Sequence, residues 1–422
     1  MADKLICGVD IGSSKIATVV GIDSPDHDEL RIIGFNSTPS RGVKKGLVVD
    51  IDQVTTSIEE SVEKAERMAG HKITHAFASV GGPHISSLNS HGVVAVSNPQ
   101  GEITEDDVVR AVDAAKAISL STTRQIIEIS PRDYSVDGQS GIKNPVGMSG
   151  VRLEVDTHLI TASTTNLKNI DRCLSDLGIT NAGFIFSGLA SAEAVLTDTE
   201  KDLGVVLVDI GGGKTDLCIY IDGSLSYSAS IPIGAKHITN DIAVGLRVSL
   251  ASAELIKIFL SKHLNANKLK NKTGDLPNLK ELNITEDISD ISVKNVIEEI
   301  ANPRIEEIYK FIGEEIEKSD FAKNIPSGLV ITGGGALTVG MVEAGRKIIG
   351  LPIRLGIPEK VSGLVDEIID TQFSSTIGLI FYGKKHALSE TKKNKDFNKI
   401  FKDFSINKSF SKFKDLFKQF LP

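Results

Sequence analysis

Two short segments of the chain combine an acidic residue, a run of small residues and a lysine, each directly after an apolar run. The first reads Asp-Ile-Gly-Ser-Ser-Lys from Asp10 to Lys15, and the second reads Asp-Ile-Gly-Gly-Gly-Lys-Thr-Asp from Asp209 to Asp216. Small residues let backbone N–H groups face an anion without a Cβ in the way, which suits phosphate oxygens. A carboxylate at the end of a strand suits a Mg²⁺ ion that keeps several of its waters. The two segments therefore predict a site for a phosphate-bearing ligand and Mg²⁺.

Both segments lie inside a longer internal repeat. Residues 9–23 and 208–222 align without a gap and are identical at about half of their positions. Each copy has an apolar run on either side of its turn, which predicts a strand–turn–strand unit. One such turn alone is most often an ordinary tight turn, whereas two matched copies with a strand-end aspartate favour phosphate binding. A third glycine turn at 333–335 follows the apolar run 329–332 and gives another place where the backbone can approach a ligand.

Composition and the remaining motifs narrow the class of protein. The net charge of −8 and the hydrophobic content of 41% describe a globular chain of several domains and argue against a nucleic-acid-binding body. The three cysteines include no C-x-x-C pair and cannot make a disulfide framework. The sequence contains no Walker loop, no G-x-G-x-x-G after its first strand and no G-x-S-x-G turn. Because it also lacks a signal peptide and an apolar span, we expect a cytoplasmic location or the cytoplasmic side of a membrane.

The elements that must position these turns alternate between strand-like and helix-like runs, which predicts an α/β architecture. Apolar residues recur every three or four positions in 54–69, and Thr104 is placed to cap a second helix with three acidic residues in its first turn. Those acids could form a metal site, but a charged first turn that complements the helix dipole is the simpler interpretation. Helical spacing returns at 297–317, whereas 262–292 is rich in Asn, Lys and Asp and is interpreted as a loop-rich region or an insertion.

The order and spacing of the three turns resemble the actin, hexokinase and heat-shock-chaperone ATPase superfamily. The first two turns are similar to its phosphate loops and 332–335 to its adenosine loop. The segments 190–195 and 375–378 look like the two small-residue segments that cross between its lobes. Within the superfamily, residues 5–382 are most similar to the FtsA family of bacterial cell-division proteins. The resemblance implies an α/β, actin-like two-lobed ATPase fold of duplicated ribonuclease-H-like domains, with an inserted subdomain 1C and a C-terminal amphipathic helix.

The resemblance also implies how the chain is divided. Subdomain 1A, the first lobe, would take residues 1–82, 161–200 and 363–385, with the inserted subdomain 1C at 83–160. The second lobe would comprise subdomain 2A at 201–235 and 305–362 and subdomain 2B at 236–304. A linker at 386–405 and an amphipathic membrane-targeting helix at 406–422 would complete the chain.

The cofactors implied by the resemblance are ATP and Mg²⁺, enclosed between the lobes. The phosphates would lie between two sets of residues: Gly12, Ser13, Ser14 and Lys15 on one side, and Gly211, Gly212, Gly213 and Thr215 on the other. The adenosine would lie near a third set: Gly234, Glu254, Lys257, Gly333, Gly334 and Gly335. Asp10 and Asp209 would organise the metal ion through its waters. Because the sequence identifies no general base, we expect at most a slow ATPase whose main role is structural and recruiting.

The partner implied by the resemblance is the C-terminal peptide of FtsZ, the tubulin-like ring protein, docked on subdomain 2B. Asn302 and Arg304 match a segment in which a family arginine contacts that acidic peptide, with a surface arginine after a proline at a helix start as the alternative for Arg304. The resemblance further implies self-association into a filament or oligomer and contacts of other division proteins with subdomain 1C. It places the protein on the cytoplasmic face of the inner membrane, at the division site, without a nucleic-acid partner.

The C-terminal tail differs from the rest of the chain in its charge and its apolar pattern. Residues 384–422 contain eleven lysines and four acidic residues, so the tail is basic while the rest of the chain is strongly acidic. On a helical wheel, one apolar arc collects these residues: Phe410, Phe413, Leu416, Phe417, Phe420 and Leu421. Lys412 occupies the opposite face, and Lys414 and Lys418 lie on its flank. Such a helix is typical of one lying in an anionic lipid interface, although docking back on the body would need the same apolar arc.

Three classes of function remain in competition. The preferred one is an ATP-binding, actin-like protein that joins FtsZ filaments to the membrane and polymerises. The second is a small-molecule kinase of the same superfamily, which would need an acceptor site with a general base and has no evident use for the tail. The third is an assembly ATPase of another membrane machine, such as the pilus-associated relatives of the family.

Overall fold

The computed structural model describes residues 4–24, 29–269, 277–282, 284–286, 291–364 and 367–392. These residues form the following strands: β1 (Lys4–Ile11), β2 (Lys15–Asp23), β3 (Leu30–Pro39), β4 (Val43–Lys44), β5 (Leu47–Val48), β6 (His75–Val80), β7 (Ser86–Ala95), β8 (Arg124–Val136), β9 (Gln139–Ile142), β10 (Arg152–Ser163), β11 (Thr180–Phe186), β12 (Val205–Ile210), β13 (Thr215–Ile221), β14 (Ser224–Ile231), β15 (Leu329–Thr332), β16 (Ile353–Leu355) and β17 (Val361–Gly363).

Helices connect and cover these strands. They are α1 (Ile51–Ala69), α2 (Glu105–Lys116), α3 (Thr164–Ser175), α4 (Ser187–Val195), α5 (Asp198–Leu203), α6 (Ala235–Leu246), α7 (Leu250–Leu269), α8 (Val293–Asn295), α9 (Asn302–Lys318), α10 (Met341–Ile349) and α11 (Ser374–Lys392). Over the described part of the chain, no helix has the length and apolar character required to span a membrane. The lipid-binding residues predicted at 410–421 lie outside the described residues.

Two sheets repeat one plan and form the centres of the two lobes. The first has the order β11-β6-β1-β2-β3-β17 and the second the order β14-β13-β12-β15-β16. In the first sheet, β1 and β2 form an antiparallel hairpin, with β6 parallel to β1 and β3 antiparallel to β2. In the second sheet, β12 and β13 form the hairpin, with β15 parallel to β12 and β14 antiparallel to β13. The internal repeat predicted from the sequence therefore corresponds to matched central strands, and the structure has the expected α/β actin-like architecture.

Burial explains why these strands are apolar along their whole length. Every residue of β12 is buried, because helices cover both faces of the sheet. In the first lobe, α1 begins after Asp50, whose side chain accepts the Gln53 N–H, and ends at Gly70, which adopts a left-handed φ of 68°. Its buried face includes Val54 and Ile58, in agreement with the helical spacing predicted from the sequence.

Helices α4 and α11 cross between the lobes, and small residues allow the crossing. Nearly all of α4 is buried, and a Cβ added to Gly378 of α11 would lie 1.7 Å from the Ala190 carbonyl oxygen of α4. The segments 190–195 and 375–378, expected from the resemblance to cross between lobes, are therefore in backbone contact with each other.

The inserted subdomain is a four-stranded sheet of order β7-β10-β8-β9 with α2 packed against it. Thr104 caps α2 as predicted: its hydroxyl accepts the Asp107 N–H while the Asp107 carboxylate accepts from the Thr104 backbone. Asp107 is fully buried and also accepts from Ser97 and Arg110. Asp107 is thus part of a helix cap, and no group of three or more His, Cys, Asp or Glu side chains placed to hold a metal ion occurs among the described residues.

Three predicted boundaries differ from the structure. Helix α7 continues to Leu269, so the prediction of a loop-rich segment from residue 262 is wrong for 262–269. The helical segment predicted from 297 begins as a π-helical turn, Val296–Ala301, before α9 takes over at Asn302. Helix α11 runs to Lys392, beyond residue 386 where the linker was predicted to begin, since Lys, Ala and Glu favour helix in a segment that follows a packed helix.

Candidate nucleotide site

The turns after β1 and β12 have the same backbone geometry. Gly12 N donates to Lys15 O at 3.1 Å, and Gly211 N donates to Lys214 O at 2.9 Å, so each turn is closed by the same pair of positions. We call the segment 12–15 loop 1 and the segment 211–214 loop 2. The identity of the two turns extends the duplication from the strands to the part of the chain predicted to bind phosphate.

Loops 1 and 2 face each other across the cleft between the lobes. A Cβ added to Gly212 would lie 1.9 Å from Ser14 Oγ, and one added to Gly213 would lie 2.9 Å from Ser13 Oγ. Ser13 Oγ accepts the Gly46 N–H at 3.0 Å, which ties loop 1 to the first lobe. Lys236 Nζ of the second lobe donates to Ser13 O at 2.6 Å. The two loops therefore form a narrow cradle, in which a side chain at Gly212 or Gly213 would displace the serines of loop 1.

Asp10 and Asp209 occupy matching positions at the ends of β1 and β12. Asp10 accepts from Ser79 Oγ at 2.6 Å and from Ser375 Oγ of α11 at 3.2 Å. Asp209 accepts from Ser191 Oγ of α4 at 2.5 Å. Burial raises the pKa of Asp209 to about 6, although the Lys214 ammonium acts in the opposite direction. A divalent cation would favour the ionised form of this carboxyl, so the pair is suited chemically to Mg²⁺ and its waters.

Lys15 lies beside the same cleft, directed toward the connection before α11. Its Nζ donates to Gln372 O at 2.5 Å and sits 3.5 Å from the centre of the Phe373 ring. Burial lowers the pKa of Lys15 to about 8, with nearby carboxylates acting against that effect. A partly buried ammonium beside the cleft is placed to pair with an anionic group such as a phosphate.

Lys214, the last residue of loop 2, forms a buried ion pair with Asp216 of β13, and the sequence analysis assigned no role to this pair. Lys214 Nζ contacts Asp216 and donates to Ser187 Oγ at 2.6 Å, and Ser187 in turn donates to Asp216 at 2.7 Å. Burial alone would lower the pKa of Lys214, but the surrounding carboxylates, Asp216 first, raise it above its ordinary value. The signal was present in the sequence as a lysine and an aspartate two residues apart at the start of a buried strand.

Thr215, Gly234 and the pair Glu254 and Lys257 lie in three different places around loop 2 and the helices α6 and α7. Thr215 is fully buried, and its hydroxyl donates to Ile233 O at 2.8 Å, so it holds β13 to the segment before α6 and does not face the loops. Gly234 begins α6 against loop 2, where an added Cβ would lie 2.5 Å from Gly211 O. Glu254 and Lys257 of α7 form an ion pair at 2.8 Å.

Thr239 of α6 ties that ion pair to the start of the helix that Gly234 begins. Its hydroxyl donates to Glu254 and accepts from Lys257 Nζ at 2.9 Å. The three side chains therefore join α6 to α7 on the side of the cleft where the resemblance places the adenosine.

The third glycine turn packs directly against the end of β12, just before loop 2. Gly333 has a left-handed φ of 84°, and an added Cβ would lie 2.2 Å from Asp209 Oδ1. Gly335 is equally crowded, with Ile210 Cγ2 at 2.5 Å from its added Cβ. Gly334 is open: the nearest atom to an added Cβ is Gln372 Cβ, at 3.7 Å. The turn therefore brings backbone next to the predicted metal residue and leaves one glycine facing free space.

Arg304 and Asn302 lie at the start of α9, away from the loops. The Arg304 guanidinium donates to both oxygens of Asp241, at 2.5 and 3.0 Å, and contacts Glu307. These carboxylates, Asp241 first, raise the pKa of Arg304. Asn302 is the first residue of α9 and lies near Gly340. The arginine predicted to meet an acidic peptide thus already meets acidic side chains of its own lobe.

Fold and site together define an actin-like ATPase fold. Solved structures of this class cover the chain almost completely: the PilM–PilN type IV pilus biogenesis complex gives a TM-score of 0.63 at 15% identity, covering 90% of this chain and 98% of that one. MreB5 of Spiroplasma citri bound to ADP gives 0.52 at 12% identity, covering 93% of this chain and 99% of that one.

Sequence comparison resolves the family within that class. Models described as "Cell division protein FtsA" and "SHS2 domain inserted in FTSA" match residues 206–378 and 82–161. The Pseudomonas aeruginosa cell division protein FtsA is 38% identical over 380 residues, 90% of this chain and 89% of that protein. The Escherichia coli protein of the same name is 33% identical over 393 residues, 92% of each. The chain belongs to the FtsA family of cell division proteins.

Proposed function

We propose that this protein binds ATP and Mg²⁺ between its lobes and links FtsZ filaments to the cytoplasmic face of the inner membrane at the division site. The observation that carries the nucleotide part is the pair of identically closed loops, each following a strand-end aspartate, that face each other across the cleft. Membership of the cell-division family supports the cellular part.

Different residues of the cradle would contact the phosphates, the metal ion and the adenosine. Backbone N–H groups of loops 1 and 2 would face the phosphates, and Lys15 would supply a positive charge beside them. Asp10 and Asp209, oriented by hydroxyls from both crossing helices, would hold the waters of Mg²⁺, whose charge neutralises the phosphate oxygens. The open face of Gly334 leaves room for the adenosine. We propose ATP chiefly as a ligand that sets conformation and assembly, including self-association.

The start of α9 is proposed as the contact for the acidic FtsZ peptide. Arg304 is part-exposed and already paired with carboxylates of Asp241 and Glu307, so an acidic peptide would exchange one carboxylate for another. Replacing Arg304 by Ala should weaken binding of a labelled FtsZ C-terminal peptide in an anisotropy titration. Lys310→Ala, on the exposed surface of the same helix, is the matched control. Equal losses in both variants would point to a general charge effect and contradict the assignment.

Membrane attachment is proposed for the C-terminal tail on the strength of its sequence pattern. Each lysine near an anionic surface adds about 1 kcal/mol, so the apolar side chains must supply the rest of the binding free energy. A chain ending at Ser389 should lose co-sedimentation with anionic vesicles. In the full chain, Phe417→Ser on the apolar arc should weaken pelleting strongly, whereas Gln419→Ser on the polar face should leave it unchanged. Pelleting of the shortened chain would refute the tether.

The same experiments distinguish the proposed function from two others, an assembly ATPase of another membrane machine and a small-molecule kinase. The fold similarity to the PilM–PilN complex keeps an assembly ATPase of another membrane machine as the main competitor. No binding of the FtsZ peptide, with vesicle binding intact, would favour that competitor. Release of ADP that depends on a small-molecule acceptor would instead identify a kinase.

A further inference from the structure

Strand β14 brings four serines into contact with the inserted subdomain or its root. Serine alternates with other residues along this strand, and we call Ser224, Ser226, Ser228 and Ser230 together the serine face. Ser228 and Ser230 lie on the same face of the sheet as their β13 partners Cys218 and Asp216, and the register shifts at Ser226. The opposite face carries Ile231, which packs in the core of its own lobe, whereas Leu225 pairs with Tyr220 on the same face as Ser228. A hydroxyl at every second position of a packed strand is unusual for a core and marks a polar contact.

All four serines form hydrogen bonds with the inserted subdomain or its root. Ser224 Oγ donates to Arg132 O at 3.0 Å, and Ser226 Oγ accepts from Arg132 Nε at 3.1 Å. Ser87 Oγ donates to Ser228 O at 2.6 Å. His158 Nε2 lies 3.1 Å from Ser228 Oγ.

Ser230 accepts the Gly82 N–H at 3.0 Å, directly at the root of the subdomain. The inserted subdomain therefore rests on the second lobe through short hydroxyl contacts, which can exchange partners more readily than an interlocked apolar core.

The inner end of the serine face reaches loop 2. Ser230 Oγ donates to Asp216 Oδ1 at 2.6 Å, and the other oxygen of Asp216 pairs with Lys214 of loop 2. Lys214 also touches the root of the inserted subdomain, since a Cβ added to Gly81 would lie 2.4 Å from Lys214 Nζ. A continuous set of contacts thus runs from loop 2 through Asp216 and Ser230 to the root of the subdomain.

At the root, one arginine joins the two chain segments that enter and leave the subdomain. Gly82 has a φ of 113°, a conformation that L side chains rarely adopt. Arg124 Nη2 donates to His84 O and to Thr161 O, both at 3.0 Å, which joins the two chain segments that enter and leave the subdomain. A shift at Gly82 would therefore carry both segments together.

We propose that Asp216 and Ser230 couple loop 2 to the inserted subdomain, so that phosphate binding between the lobes changes how the subdomain rests on the serine face. This inference rests on the proposed binding of ATP. Loop 2 lies against the Ser14 side chain of loop 1 at Gly212, and we expect a phosphate entering between them to shift both the serine and loop 2. The displacement reaches Asp216 and then the hydroxyl that holds the root.

Hydrogen–deuterium exchange of the full chain, with and without MgATP, tests the coupling. In the wild-type chain we expect MgATP to change exchange severalfold in peptides covering 81–95 and 224–231. Ser230→Ala should bind MgATP within about twofold of wild type and lose that change in 81–95. Ser230→Thr, which keeps a hydroxyl, should restore it. Ser61→Ala, a buried serine of α1 that bonds Thr18 and Asn36, is the control and should behave as wild type.

The results separate the coupling from the function on which it rests. Binding of MgATP by the wild-type chain with no change in 81–95 would overturn the coupling alone, as would a full change in Ser230→Ala. No MgATP binding by the wild-type chain would overturn the proposed function and the coupling with it.

Discussion

Adding one methyl group where α4 and α11 cross should damage both stability and nucleotide binding. A Cβ at Gly378 would lie 1.7 Å from the Ala190 carbonyl oxygen, whereas side chains do not approach closer than 3.0 Å. In Gly378→Ala the helices must therefore separate by more than 1 Å, and backbone on both sides leaves no flexible side chain to absorb the movement. Overpacking of this kind costs about 1–3 kcal/mol.

A second glycine gives a matched control for the helix itself. Gly313 in α9 has only Ile349 Cδ1 near an added Cβ, at an ordinary 3.5 Å. Alanine is favoured over glycine inside a helix by about 0.5–1 kcal/mol, and both substitutions gain this amount. The difference between the two variants therefore isolates the cost of the crossing, about 1–3 kcal/mol. Thermal unfolding should show Gly313→Ala slightly above wild type and Gly378→Ala below it, at about 1 °C for each kcal/mol in a chain of this length.

Separating the two helices should also move the partners of the aspartates in the cradle. Ser191 on α4 donates to Asp209, and Ser375 on α11 donates to Asp10. A calorimetric titration of Gly378→Ala with MgATP should therefore show affinity lower by about tenfold, equivalent to 1.4 kcal/mol, with Gly313→Ala unchanged. If Gly378→Ala has the unfolding temperature and the MgATP affinity of the wild type, the crossing is not tightly packed and the link from helices to aspartates is wrong.

The remaining predictions concern the open glycine, the cleft lysine and the cap of the inserted subdomain. Gly334→Asp should abolish ATP binding by placing a carboxylate in the adenosine cleft, whereas Gly334→Ala, with no close neighbour, should bind normally in the same titration. Because burial lowers the pKa of Lys15 to about 8, its ammonium is lost as pH rises, and ATP affinity should fall about tenfold between pH 7 and 9. Lys15→Arg should flatten that profile. Thr104→Ala removes the cap that Asp107 shares and should cost about 1 kcal/mol in local stability, seen as faster amide exchange in α2. Ser121→Ala, at an exposed position, should leave it unchanged.

Features set by neighbouring residues could be predicted from the sequence. The strand–turn–strand units around Asp10 and Asp209, the buried face of α1 and the Thr104 cap all depend on residues a few positions apart. Periodicity and turn chemistry are enough to specify such elements. The repeat of the two units also anticipated the matched sheets, because similar strands pack in similar ways.

Features set by distant residues could not be predicted in the same way. The hydrogen bond from Lys15 to Gln372 joins positions 357 residues apart, and only the folded lobes bring them together. The burial of the Thr215 hydroxyl against Ile233 likewise depends on the packing of β13, although its place in the loop motif suggested a phosphate contact. The serines of β14 alternate visibly in the sequence, but their meaning depends on a subdomain inserted elsewhere in the chain.

The central claim is that Asp10 and Asp209 organise Mg²⁺ for a nucleotide held between loops 1 and 2. The most direct test is a titration of the full chain with ATP, in the presence of Mg²⁺ and in its absence, for the wild type and for Asp209→Asn. Asparagine keeps an oxygen that can accept from Ser191 and removes only the charge. We predict that Mg²⁺ raises ATP affinity in the wild type and that Asp209→Asn loses this gain while still binding ATP. Equal affinity of the wild type with and without Mg²⁺ would contradict the claim.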